Sequence, residues 1–209
     1  MAMASVMLPL GTPAPPFALR DMVGVQNYSL DSFADKTALL VMFICRHCPY
    51  VVHVEYEIAK LGRDYIDAEL GIVGISSNDP MQYPDDAPPR LKEMAERVGF
   101  TFPLCFDETQ EIASAYRATS TPDFYLFDRE RLLAYHGQLD DSRPGSSKLV
   151  TGHDLRAAID AVLTEKPVDS NQKASIGCSI KWKPGQDYPA GLPCSRNARP
   201  REALVGRAQ

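Results

Sequence analysis

Several absences narrow this chain before any motif is read. None of its 209 residues fall in an uninterrupted apolar stretch approaching the roughly 18 residues of a membrane-spanning helix. The opening Met1-Ala-Met-Ala-Ser-Val-Met-Leu-Pro-Leu10 lacks the basic segment of a secretory signal. A cytoplasmic protein with no membrane association is therefore expected. Positive charge is in deficit: a formal net charge of −5 argues against nucleic acid as a partner and gives no attraction to an anionic lipid surface. Cysteine is scarce, five in number and so odd, which is not the usage of a secreted disulfide scaffold. There is no second Cys-x-x-Cys to complete a four-cysteine zinc site. The 44% hydrophobic content is that of an ordinary globular chain, long enough for one core-forming domain with appendages.

What the chain does have is Phe43-Ile-Cys-Arg-His-Cys-Pro-Tyr50, set between two different periodicities. Thr37 to Ile44 is a continuous apolar run, the pattern of a strand covered on both faces and so central in a sheet. Beyond Pro49, residues Val51, Val54, Ile58, Leu61 and Tyr65 recur at steps of three and four, one face of a helix. A helix starting near Cys45 aims its unpaired N–H groups and positive dipole end at a sulfur there. This predicts Cys45 as the exposed, low-pKa attacking thiolate and Cys48, one turn further in, as the resolving thiol. Arg46 and His47 are expected to tune the thiolate by positive charge. The resulting couple should be more oxidising than one with a neutral Gly-Pro between its cysteines.

The remaining elements follow in order. Residues 1 to 16, with four prolines, read as an extended arm; Phe17 to Leu19 and Gln26 to Leu30 read as a small hairpin, and Asp31 as the cap of a short turn through Phe33. Gly71 to Ser76 is a second buried run, parallel to the first across the helix. Ser77 to Pro89 is a proline-rich, acidic loop, and Arg90 to Val98 a helix closed by Gly99. Phe102 to Phe106 reads as an edge strand, and Asp107 with Gln110 as a capping box opening a helix that buries Ile112, Ala113 and Tyr116. Thr121-Pro122-Asp123 heads an apolar strand, Phe124 to Phe127. Leu132 to Gly137 completes a hairpin with it, and Asp154 caps a last helix carrying Leu155, Ile159, Val162 and Leu163.

This succession, with Cys-x-x-Cys where strand gives way to helix and Thr-Pro at the head of a later strand, resembles the thioredoxin fold in its redoxin form, the superfamily of the AhpC/TSA peroxiredoxins. The resemblance spans roughly residues 8 to 165. It also extends to a bacterial group of thioredoxin-like proteins, through Phe43 to Val51, Thr121 to Phe124, Gln138 to Pro144 and Ser175 to Pro184. It implies an α/β thioredoxin-like fold: a central mixed sheet flanked by helices, with an N-terminal hairpin extension and an irregular C-terminal tail. Residues 1–166 would form the redoxin domain and 167–209 the tail, with 167–184 docked and 185–209 disordered. It further implies Cys45 and Cys48 as the redox pair and a cis bond between Thr121 and Pro122, where loop backbone pairs with an incoming substrate. Ile44, Arg46 and His47 stand where thioredoxin has Trp, Gly and Pro. In the peroxiredoxin motif Cys45 takes the place of Thr and Val41 that of Pro.

The expected function is thiol-disulfide exchange with protein or small-molecule disulfides and a cellular thiol reductant, without a cofactor or metal. A thiol peroxidase, or a copper or zinc binding protein using Cys45, Cys48 and His47 or His53, is the alternative. Glu55 and Asp123 are candidates for moving the proton of Cys48. Cys178 is a candidate additional redox thiol and Cys105 a core thiol. Cys194 is incidental, and His53, His136 and His153 are structural or surface groups.

Overall fold

The structure is a computed structural model and describes residues 2–186. Its centre is the first apolar run: β4, Ala38–Phe43, is buried at every position. Its partners explain why. Leading into it are three short strands, β1 (Ala2–Ala4), β2 (Ala18–Arg20) and β3 (Asn27–Ser29), the last two forming the expected hairpin. After β4 come helix α1 (Pro49–Asp64), β5 (Leu70–Ser76), α2 (Pro88–Val98), β6 (Leu104–Phe106) and α3 (Glu111–Ala115). The chain continues through β7 (Ser120–Thr121), β8 (Asp123–Phe127), β9 (Leu133–Gly137), α4 (His153–Leu163) and β10 (Ile176–Ser179). The main sheet runs β6-β5-β4-β8-β9, with β5 and β6 parallel to their neighbours and β8 and β9 antiparallel.

Side chains alternate across β4 and divide the core in two. Leu40 and Met42 face α1, α2 and α4, meeting Val51, Ile58, Leu91, Met94, Leu155 and Ile159. Leu39, Val41 and Phe43 face the opposite layer, with Phe17, Phe33, Tyr116, Tyr125 and Phe127. Cys105 belongs to that second layer, whereas Cys45 and Cys48 belong to the first, with Cys178 packed against it.

A second, small sheet is the feature least visible in the pattern of the chain. β10 lies between β1 and β7, antiparallel to both, with Cys178 opposite Ala2 on one side and Thr121 on the other. The proline-containing N-terminal arm thus begins as a strand. Residues 187–209, and with them most of the expected disordered tail and Cys194, lie outside the described residues.

Several caps differ from expectation, each for a local reason. Ser29 with Ser32, not Asp31, forms the capping box of the 3-10 turn Leu30–Phe33. Gln110 is the N-cap of α3 at φ 63°, while the Asp107 carboxylate reaches past it to accept from the amides of Ile112 and Ala113. Gly152 is the N-cap of α4 at φ 65°; Asp154 lies inside the first turn, where it favours the positive dipole end, and accepts from Gln138 Nε2 at 2.7 Å. Gly99 closes α2 in the left-handed region at φ 79°, as expected.

Candidate active site

Strand register builds the site. The β4–β8 ladder ends with Phe43 opposite Asp123, so one further pair of steps sets Cys45 beside Thr121. The two side chains meet there, Cys45 Sγ lying 3.1 Å from Thr121 Oγ1. On its other side Thr121 is opposite Cys178. Cys48 closes the group: its sulfur is 3.2 Å from the Thr121 carbonyl oxygen, in the packed cluster that also holds Cys45 and touches Cys178. Thr121 therefore touches both members of the Cys-x-x-Cys pair. The Thr121–Pro122 bond is cis.

The start of α1 overturns the expected resting charge and exposure of the two thiols. The helix begins at Pro49, not near Cys45, because proline is suited to the first helical position and Cys48 takes the N-cap. Cys45 lies three residues before that cap and is 1% exposed; Cys48 is fully buried. Burial pushes the Cys45 thiol well above its ordinary value, reinforced by its bond to Cys48 and the nearby negative charge of Asp86. Cys48 moves the other way, down to about 5, because the Cys45 thiol donates to it, with further support from Cys178 and the Val51 amide overcoming its own burial. The Thr121 carbonyl opposes this, since it is an acceptor that only a protonated Cys48 can satisfy. The donors at Cys45, Cys178 and the helix start outnumber it. The pair titrates as a unit, one proton shared by two sulfurs, with the anion resting at the helix cap.

Arg46 and His47 do not tune the thiolate as free cations. Arg46 is paired with Asp85 at 2.9 Å, and His47 Nδ1 is bonded to Asp86, its ring stacked on Tyr83. Asp86 is the buried anchor of the turn between the cysteines. One oxygen accepts from the amides of Arg46 and His47 at 2.8 and 3.1 Å, and the other accepts from Asn78 at 2.8 Å. Those bonds hold the Asp86 carboxyl below its usual range despite burial. Asp85, Asp86 and Asn78 escape sequence reasoning because they sit in a loop defined by its prolines. The only signal for them is two acids and two basic side chains with no partner in their own segments.

Glu55 is not placed to move a proton at the sulfurs. It lies seven residues beyond Cys48, roughly 10 Å along the helix axis. Both its oxygens accept from Arg97, at 2.8 and 3.0 Å, so it ties α1 to α2. Asp123 is likewise occupied, accepting from His136 Nε2 at 3.2 Å and Tyr125 Oη at 3.0 Å. His136 is fixed in turn, since its Nδ1 accepts from the Leu8 amide. Cys105 is a core thiol, pushed up to about 12 by burial and the charge of Asp21.

Among the described residues, one group of metal-ligand type converges: Cys45, His47 and Asp86 have ligand atoms within 4.8 Å of one another. This trio of S, N and O donors differs from the expected combinations because Asp86 replaces Cys48 or His53. Two of its three members are already bonded to each other. No helix among the described residues is long and apolar enough to cross a membrane.

Comparison with known proteins gives the fold and the family. An uncharacterized conserved protein from Geobacillus kaustophilus is 50% identical, with 89% of this chain and 98% of that one covered at a TM-score of 0.87. A hypothetical protein from Sinorhizobium meliloti is 47% identical over 87% and 99% of the two chains, at 0.85. A thiol:disulfide interchange protein of the thioredoxin family from Chlorobium tepidum, 17% identical over 75% and 99%, shares the fold at 0.57. The fold is thioredoxin-like. Residues 10–136 match the AhpC/TSA family, and the chain belongs to that family.

Proposed function

We propose that the protein is a thiol-disulfide oxidoreductase that cycles Cys45 and Cys48 between dithiol and disulfide. The observation that carries this reading is the convergence of the two sulfurs on Thr121 at the head of α1, Cys45 Sγ 3.1 Å from its hydroxyl and Cys48 Sγ 3.2 Å from its carbonyl oxygen. In the reaction, the Cys48 thiolate takes the proton of Cys45, and the Cys45 thiolate attacks a sulfur of the substrate disulfide. One substrate thiolate leaves and takes up the proton from Cys48. Cys48, again a thiolate, then attacks Cys45 Sγ, closing the Cys45–Cys48 disulfide and releasing the second substrate sulfur as a thiolate that takes its proton from water. A cellular thiol reductant reverses the sequence. Both sulfurs are nearly inaccessible at rest, so each encounter requires a local opening around the Arg46-His47 turn.

One observation favours a second reading, a thiol peroxidase. The anion rests on Cys48 at the helix cap, where it could attack a peroxide oxygen, release water and condense as a sulfenic acid with Cys45. Wild type, Cys45→Ser and Cys48→Ser assayed with oxidised glutathione and with hydrogen peroxide separate the two. Exchange predicts a mixed disulfide trapped on Cys45 in Cys48→Ser, with loss of turnover in that variant. Peroxide consumption that survives in Cys45→Ser would transfer the assignment to the peroxidase.

A further inference from the structure

The third thiol, Cys178, has no part in the cycle above, yet the fold holds it against that cycle's buried sulfur. Strand β10 pairs with β7, the edge at the proline loop on which an incoming peptide would otherwise form its ladder. It is built in firmly. The Ser5 amide donates to the Ser175 carbonyl, Ile180 N–H to Thr119, and Asp79 N–H to Lys181. Beyond the strand, Asn78 accepts from the Lys181 amide and Gln110 bonds both Lys181 and Lys183, each at 2.8 Å. Glycine at 177 is required by this approach: a Cβ there would stand 1.9 Å from the Thr121 carbonyl oxygen. The strand therefore lies so close to β7 that its next residue, Cys178, stands opposite Thr121, whose carbonyl oxygen is 3.2 Å from Cys48 Sγ, and packs against the cluster that holds Cys48.

We propose that Cys178 is an internal exchange partner of Cys48, so that the oxidised site holds its disulfide either as Cys45–Cys48 or as Cys48–Cys178. The proposal rests on the dithiol reading of Cys45 and Cys48. In the exchange, the Cys178 sulfur, having given up its proton, attacks Cys48 Sγ. The Cys45–Cys48 bond breaks as the Cys48–Cys178 bond forms, and Cys45 leaves as a thiolate that takes up the proton. Nothing is oxidised or reduced overall. The result is that Cys45 is freed as a thiol while the oxidising equivalent is stored under β10. Because β10 fills the edge of β7, the internal sulfur occupies the position that an external peptide sulfur would need.

Disulfide mapping after tryptic digestion tests this on the full chain, because Arg46 separates the two active-site cysteines. Cys45 falls in Thr37–Arg46, Cys48 in His47–Lys60 and Cys178 in Ala174–Lys181. Cys45→Ser protein is treated with oxidised glutathione, quenched with acid and alkylated. Cys48 first takes glutathione, and Cys178 then displaces it as the free thiol. The expected product is His47–Lys60 linked to Ala174–Lys181, at least tenfold more abundant than any link from Cys178 to the peptides of Cys105 or Cys194. A stable Cys48–glutathione adduct with Cys178 fully alkylated would overturn the proposal. Cys178→Ser keeps the two readings apart. If it forms a reducible Cys45–Cys48 link while Cys45→Ser forms no Cys48–Cys178 link, only the internal exchange falls. If it forms no Cys45–Cys48 link, the dithiol reading itself fails.

Discussion

Removing the Cys45 thiol tests whether the resting anion at Cys48 is held by a hydrogen bond or by the helix start alone. In Cys45→Ala the donor is lost; in Cys45→Ser an O–H replaces the S–H. A hydrogen bond to a charged group contributes about 1.5–3 kcal/mol, which at 1.36 kcal/mol per unit corresponds to a rise of roughly 1–2 pKa units. Cys48, held at about 5 in the wild type, should therefore titrate at about 6–7 in Cys45→Ala, still below an ordinary thiol because Cys178 and the Val51 amide remain. At about pH 6, roughly nine-tenths of wild-type Cys48 would be ionised, against between one-tenth and one-half in the alanine variant. The serine variant should fall between the two. The assay is the ultraviolet absorbance of the thiolate as reduced protein is titrated, in a Cys194→Ser background, with alkylation of the Cys48 peptide followed in parallel. Cys105 and Cys178 do not intrude, their pKa values being pushed up to about 12 and about 11. If alanine and serine variants titrate together at the wild-type position, the Cys45 donor is not what holds the anion. If the first wild-type thiol ionises only above about pH 8, near the free-cysteine value, no anion is held at all.

Other expectations follow from the same geometry. Stabilising the reduced form through a low-pKa thiol should leave the Cys45/Cys48 couple more oxidising than thioredoxin, whose potential is about −270 mV. A midpoint at or below that value in a glutathione redox titration would count against it. Reduced wild type should lose stability relative to Cys48→Ser as pH falls from about 8.5 toward 5, because a thiol with a depressed folded-state pKa takes up its proton first in the unfolded chain. Cys45, shifted upward, contributes only above that window. Chemical denaturation across the range checks the sign. Arg97→Ala should cost about 1–3 kcal/mol by leaving the Glu55 carboxylate buried without its partner, with no change in the pH profile of thiol alkylation. A shifted profile would return Glu55 to the proton path. Gly177→Ala should force β10 away from Thr121. An overpacking strain of about 1–3 kcal/mol raises local opening roughly 5- to 150-fold, seen as faster alkylation of Cys45 and Cys48. Unchanged rates would show that β10 does not shield them.

The order of elements was legible in the sequence because each periodicity answers to a local cause. The apolar run at 37–44 has to be covered on two faces, the three-and-four spacing after Pro49 makes one helical face, and Gly99 can end a helix in a conformation other residues avoid. The spacing of Cys45 and Cys48 at that junction likewise needed no coordinates. Cap assignments failed at α3 and α4 where Gln110 and Gly152 take a left-handed conformation, and at Leu30–Phe33 because neighbouring short polar side chains look equally suitable in one dimension. What the tertiary structure alone decided is the electrostatic sense of the site. Asp85 and Asp86, about forty residues from Arg46 and His47, neutralise the cations expected to favour a thiolate at Cys45. Cys178, 130 residues from Cys48, arrives through a strand too short to be recognised by its own pattern. Sequence spacing determines which sulfurs can share a turn. Which of them carries the charge depends on donors and carboxylates brought in by distant segments, because Coulomb and hydrogen-bond energies fall off over a few ångströms of space, whatever the distance along the chain.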